Sequence, residues 1–137
     1  MERYEESLKK HQESLLIFGE LLGKDHPSYI TVFNNIGVIY MDMGRYEESL
    51  KNHSECLAMK EVALEKDHPD LALTFNNFGN TYLRMGRYQE AFNYYRECLA
   101  MREKCIGNNH PDYAETLNNL GDTYLKMDRY QEALKNY

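Results

Sequence analysis

Little in this chain points to a membrane, a nucleic acid or a reactive centre. No stretch approaches the ~20 consecutive apolar residues that a membrane-spanning helix needs, and the opening MERYEESLKK carries no apolar signal segment. Positive charge is in short supply: 16 Lys and Arg face 22 Asp and Glu, a net charge of −6. That leaves no basic face for nucleic acid and no attraction to an anionic membrane. Prolines number three in 137 residues, which leaves room for long helices. Cys56, Cys98 and Cys105 are odd in number and sit within helical patterns, so they read as reduced thiols in a cytoplasmic protein. Asn52-His53-Ser54 matches a glycosylation sequon but falls in mid-helix, where an acceptor loop is not expected. A phosphate loop, HExxH, CxxC and a plausible Ser/His/Asp set are all absent, so the chain is expected to be no enzyme and to hold no cofactor or metal.

What the chain does have is a period. Arg3-Tyr4, Arg45-Tyr46, Arg87-Tyr88 and Arg129-Tyr130 recur at a spacing of 42 residues. His26-Pro27, His68-Pro69 and His110-Pro111 keep the same phase. So do Asn34-Asn35, Asn76-Asn77 and Asn118-Asn119, each followed by Gly37, Gly79 or Gly121. A fixed period of this length means stacked supersecondary units that bury a core only against their neighbours.

Within residues 27–68, Pro27 suits the first turn of a helix, where its missing N–H has no partner to lose. His26 is pushed out of the helical region by the proline that follows it. Phe33, Ile36, Gly37, Tyr40 and Met43 then form an amphipathic stripe. Gly44 ends this helix A, because a left-handed C′ residue costs glycine least. Helix B begins at Arg45-Tyr46 and lines up Tyr46, Ser49, Leu50, His53, Cys56, Leu57 and Leu64, matched 42 residues on by Tyr88, Ala91, Phe92, Tyr95, Cys98, Leu99 and Ile106. Small residues alternate with large at matched positions (Ser49/Ala91/Ala133, Ser14/Cys56/Cys98), as close helix packing requires. The short polar loop Glu65-Lys66-Asp67-His68 makes successive helices antiparallel neighbours.

Asn77, Gly79, Tyr82, Gly86, Tyr88, Glu90 and Ala91 give a spacing that resembles the tetratricopeptide repeat. The 42-residue length, the His-Pro pair and the Asn-Asn pair are similar to the variety in kinesin light chains. The expected fold is therefore an all-α, right-handed superhelical solenoid of antiparallel helix pairs. Its elements are a helix B over 2–22, A/B pairs over 27–68 and 69–110, a helix A over 111–127 and a partial helix B over 130–137. Asp128 departs from the pattern by standing where Gly44 and Gly86 stand. Helix B with no helix A before it, and a helix B that stops after two turns, lead us to expect a fragment of a longer protein or ends that meet in a homo-oligomer.

The resemblance implies that helices A line a concave surface. On the side of helix A away from the stripe fall Thr31, Asn35, Val38 and Asp42, then Leu73, Asn77, Asn80 and Arg84, then Glu115, Asn119, Asp122 and Lys126. These are the candidate residues of a groove for a partner's peptide or helix. Successive helices A should lie roughly 10 Å apart, about three residues of an extended peptide, so Asn35, Asn77 and Asn119 could each grip a backbone amide. A repeated asparagine serves equally well to bond a neighbouring helix, and Asn34, Asn76 and Asn118 on the flank fit that role. A carboxylate clamp is not expected, since the first repeat offers Thr31, Asn34, Asn35 and Val38 and the third Glu115. The expected ligand is neutral to basic, with apolar anchors reaching Leu73 or Val38. His26, His68 and His110 read as loop and cap residues, one per repeat and too far apart to share a metal. His11 and His53 match Tyr95 and Tyr137 in phase and read as packing residues.

Overall fold

A computed structural model describes residues 2–63, 69–107 and 109–135. It contains α1 (Glu2–Leu22), α2 (Pro27–Asp42), α3 (Tyr46–Ala63), α4 (Pro69–Arg84), α5 (Tyr88–Ile106) and α6 (Pro111–Lys135). They form two compact units, Met1–Lys66 and Asp67–Tyr137. In the first, α2 packs against both α1 and α3; in the second, α5 packs against both α4 and α6. Leu64, the loop 65–68 with His68, and the side chains of Ile106, Ala133 and Tyr137 lie outside the described residues.

Each described His-Pro pair starts a helix by capping it. His26 is extended (φ −72°, ψ 139°), and its Nδ1 accepts the Ser28 backbone N–H at 3.1 Å. His110 Nδ1 takes the Asp112 N–H at 3.0 Å in the same way. One of the unpaired donors of the first turn is thereby satisfied, with proline covering the next position.

The first two helices A end in Schellman motifs. Gly44 has φ 80°, its N–H donates to Met41 O at 3.0 Å, and the Arg45 N–H reaches back to Tyr40 O at 2.8 Å. Gly86 (φ 79°) repeats this, with Gly86 N–H to Leu83 O at 3.1 Å and Arg87 N–H to Tyr82 O at 2.9 Å. The arginine of the recurring Arg-Tyr dipeptide then locks the corner. The Arg45 guanidinium lies 4.9 Å from the Tyr40 ring centre while bonding Glu48 through Nε at 2.7 Å. Arg87 sits 5.0 Å from the Tyr82 ring centre and pairs with Glu90.

At the third corner the expected break does not occur. Instead of a helix A over 111–127 and a separate helix B from 130, α6 runs unbroken from Pro111 to Lys135. Asp128 has a Cβ that disfavours the left-handed conformation of Gly44 and Gly86, so the helix continues through the position. Tyr124, third in the series Tyr40 and Tyr82, instead meets Phe92 edge-on with ring centres 4.6 Å apart. Tyr130 reaches Tyr88 at 6.1 Å.

The repeating glycine is a contact point between helices A and B. A Cβ on Gly37 would lie 3.0 Å from His53 Nδ1, and one on Gly79 would lie 2.5 Å from Tyr95 Cε1. His53, Cys56, Ala91, Tyr95 and Cys98 are fully buried, as the phase of the repeat implies. Gly121 has nothing within 4 Å of its would-be Cβ, because among the described residues no separate helix B follows α6 to pack there. His11 and Cys105 are only half-buried, less enclosed than their interior phase suggests; His11 Nδ1 donates to the Ser7 carbonyl at 2.8 Å.

Candidate interaction surfaces

In the first unit, α2 presents Thr31, Asn35 and Asp42 exposed and Val38 half-buried. In the second, Leu73 and Arg84 of α4 and Glu115, Asp122 and Lys126 of α6 are exposed. Asn80 is half-buried and accepts the Tyr95 phenol O–H at 2.5 Å. Asn77 is 6% exposed. Asn119 donates through Nδ2 to Asn76 Oδ1 at 3.2 Å, which ties α6 to α4 side chain to side chain. The asparagines that look equivalent in the repeat are thus placed differently. Asn35 is open to solvent, Asn77 is enclosed, and Asn119 spends a donor on Asn76. Of the flanking set, Asn34 and Asn76 are buried and Asn118 is exposed.

Buried hydroxyls on helices A went unnoticed in the sequence. Thr74, Thr81, Thr116 and Thr123 are fully buried. Thr81 donates to Asn77 O at 3.0 Å, Thr116 to Asp112 O at 3.1 Å and Thr123 to Asn119 O at 2.7 Å. Bonding back to its own helix lets each of these hydroxyls be buried without an unpaired polar group. The first repeat has Val32 and Ile39 in these phases, so the signal was legible only as a difference between repeats. Arg102, 9% exposed, joins α5 to α6 by donating from one nitrogen to Asp112 O (2.8 Å) and Thr116 Oγ1 (2.7 Å).

The buried titratable groups serve packing. Burial, with a smaller push from Lys60, lowers the His53 pKa to about 4, which keeps the imidazole neutral at physiological pH. Ser49 Oγ donates to Gly37 O at 2.9 Å and lies 3.0 Å from His53 Nε2, an arrangement that makes Nε2 the protonated nitrogen. Burial raises the Cys98 thiol despite its contact with Thr116, so it is held as an unreactive thiol. Tyr95 is likewise raised by burial. Among the described residues no group of three or more His, Cys, Asp or Glu could hold a metal, and no helix is long and apolar enough to cross a membrane.

The tetratricopeptide repeat model matches residues 29–104 and again 79–137. No curated protein matches the chain. Among solved structures, a Podosopora anserina protein assigned as a kinesin light chain, with nearly identical TPR-like repeats, superposes with a TM-score of 0.78 at 20% identity, over 96% of this chain and 63% of that one. A point variant of the same protein gives 0.78 at 21%, over 96% and 62%. BtubC (BKLC) from P. vanneervenii gives 0.79 at 22%, over 97% and 53%. The chain therefore spans less than two thirds of the length of each, and at these identities the likeness is one of fold. The resemblance read from Asn77, Gly79, Tyr82 and Gly86 is met: this chain belongs to the tetratricopeptide repeat family, and its fold is similar to that of kinesin-light-chain-like repeat structures.

Proposed function

We propose that the chain binds a peptide or short helix of a partner protein along the outward faces of its helices A. Tetratricopeptide repeats are in general protein-interaction scaffolds, and that coarse role comes with the family. The finer reading is carried by one observation. On α4 and α6, Leu73, Arg84, Glu115, Asp122 and Lys126 are all exposed, on two helices that both pack against α5 and are bonded to one another through Asn119 and Asn76. An apolar anchor point flanked by both charge signs on packed helices suits the reading of a mixed-charge segment. Thr31, Asn35, Val38 and Asp42 supply the comparable face of α2 in the first unit. Asn77, being enclosed, offers little surface to a ligand. Substituting Asn35→Ala, Leu73→Ser and Lys126→Ala together tests the reading. With helicity unchanged by circular dichroism, a partner retained by the parent should be lost, and full retention would reject this surface.

A second reading is self-association. α1 exposes Leu16, Ile17 and Leu21, and α6 exposes Leu117, Tyr124 and Leu125, apolar surface of the kind that association covers. Sedimentation at rising concentration separates the two readings, since only this one requires a mass that grows with concentration.

A further inference from the structure

Across the two units the repeats differ at one place in a way the packing makes visible. In the second unit, Tyr94 of α5 lies over a row of three rings on α4, with ring centres 6.4 Å from Phe75, 4.6 Å from Phe78 and 5.6 Å from Tyr82. The planes are within 29° of parallel throughout, so one phenol ring is stacked on an aromatic floor. Counting back 42 residues turns Phe75, Phe78, Tyr82 and Tyr94 into Phe33, Ile36, Tyr40 and Asn52. Two of the three floor rings are kept, but the ring that covers them is gone.

A cavity of about 320 Å³ occupies that place in the first unit, lined by Phe33, Ile36, Tyr40 and Asn52, with Gln12 and Leu15 of α1 on one wall and Glu48, Lys51 and Glu55 of α3 around it. Asn52 is 8% exposed, and its buried Oδ1 has no hydrogen-bond partner. That oxygen is turned towards α2, 2.7 Å from where a Cβ on Gly37 would stand, so Asn52 puts no ring over Phe33 and Tyr40. Thr31, Asn35 and Asp42 of α2 do not line the cavity, which is a separate site from the helix A face.

We propose that this cavity takes the side chain of a tyrosine from a partner protein. The ring would stack on Phe33 and Tyr40 as Tyr94 stacks on Phe75 and Tyr82. The molecule thus displays in its second repeat the contact that its first repeat leaves open.

N-acetyl-L-tyrosinamide is the probe, titrated into the 15N-labelled chain and followed by amide chemical shifts. Saturable shifts are expected at Leu15, Ile36, Tyr40 and Asn52, with Asn35 unmoved, and N-acetyl-L-leucinamide should bind about tenfold more weakly, having no ring to stack. Asn52→Tyr supplies the second repeat's own ring, and it should raise the melting temperature and abolish the shifts. If Asn52→Tyr fails to fold, Leu15→Trp, which fills the cavity from its α1 wall, takes its place. No shifts up to the solubility of the probe, equal binding of the leucine probe, or shifts that persist in the folded filled variant would each overturn the proposal. Because Asn35 reports on the helix A face, none of these results bears on that surface.

Discussion

Gly79 lies so close beneath Tyr95 that a single added carbon would stand 2.5 Å from the ring's Cε1. Tyr95 is fully buried, in a core with Ala91 and Leu120, and has nowhere to retreat. Gly79→Ala is therefore expected to cost about 1–3 kcal/mol through overpacking. Gly121 holds the same phase with nothing within 4 Å, so Gly121→Ala should instead gain up to about 1 kcal/mol from helix propensity. Thermal unfolding of the two variants should move in opposite directions.

Asp128 is what lets α6 run through the third corner. Asp128→Gly restores the residue that takes φ near 80° at Gly44 and Gly86, and should end the helix there. Backbone chemical shifts at 127–130 should leave the helical range. Unchanged helical shifts would mean that something other than the missing glycine carries the helix onward.

His53 makes the first unit sensitive to acid. The unfolded imidazole takes its proton near 6.5 and the folded one near 4. Between those values the unfolded state binds more protons, so stability is lost as pH falls from about 6.5 towards 4 and recovered as it rises. The loss attributable to this residue is roughly 3 kcal/mol at most. His53→Tyr, the residue that the second repeat uses, should remove that part of the pH dependence in urea unfolding curves.

The bond between Asn76 and Asn119 should appear as a coupling. Each single alanine substitution is expected to destabilise, and the double to cost about 1 kcal/mol less than their sum. Additive effects would show that the two amides do not act together.

The repeat made the fold legible because packing is what repeats. Gly37 and Gly79, Ser49 and Ala91, and Cys56 and Cys98 are read correctly from phase alone, since each contact recurs with its partner 42 residues on. The same logic misled at Asp128, where one departure abolishes a corner that the surrounding Arg129-Tyr130 still advertises. It misled differently at the asparagines. Asn35, Asn77 and Asn119 share a phase, but exposure depends on which helix stands alongside, and period does not record that. The cavity over Phe33 and Tyr40 was hidden for a related reason: Asn52 and Tyr94 become informative only when the stacking of Tyr94 is seen.

The most direct measurement places a photoactivatable benzophenone side chain singly at Asn35, Arg84 and Lys126 on helices A, and at Ser54 and Glu97 on helices B. Each labelled chain is irradiated in cell extract and the cross-linked protein identified. One partner captured from the helix A positions and not from Ser54 or Glu97 is the predicted result. Capture from the helix B positions with none from helices A would contradict the assignment of the working surface.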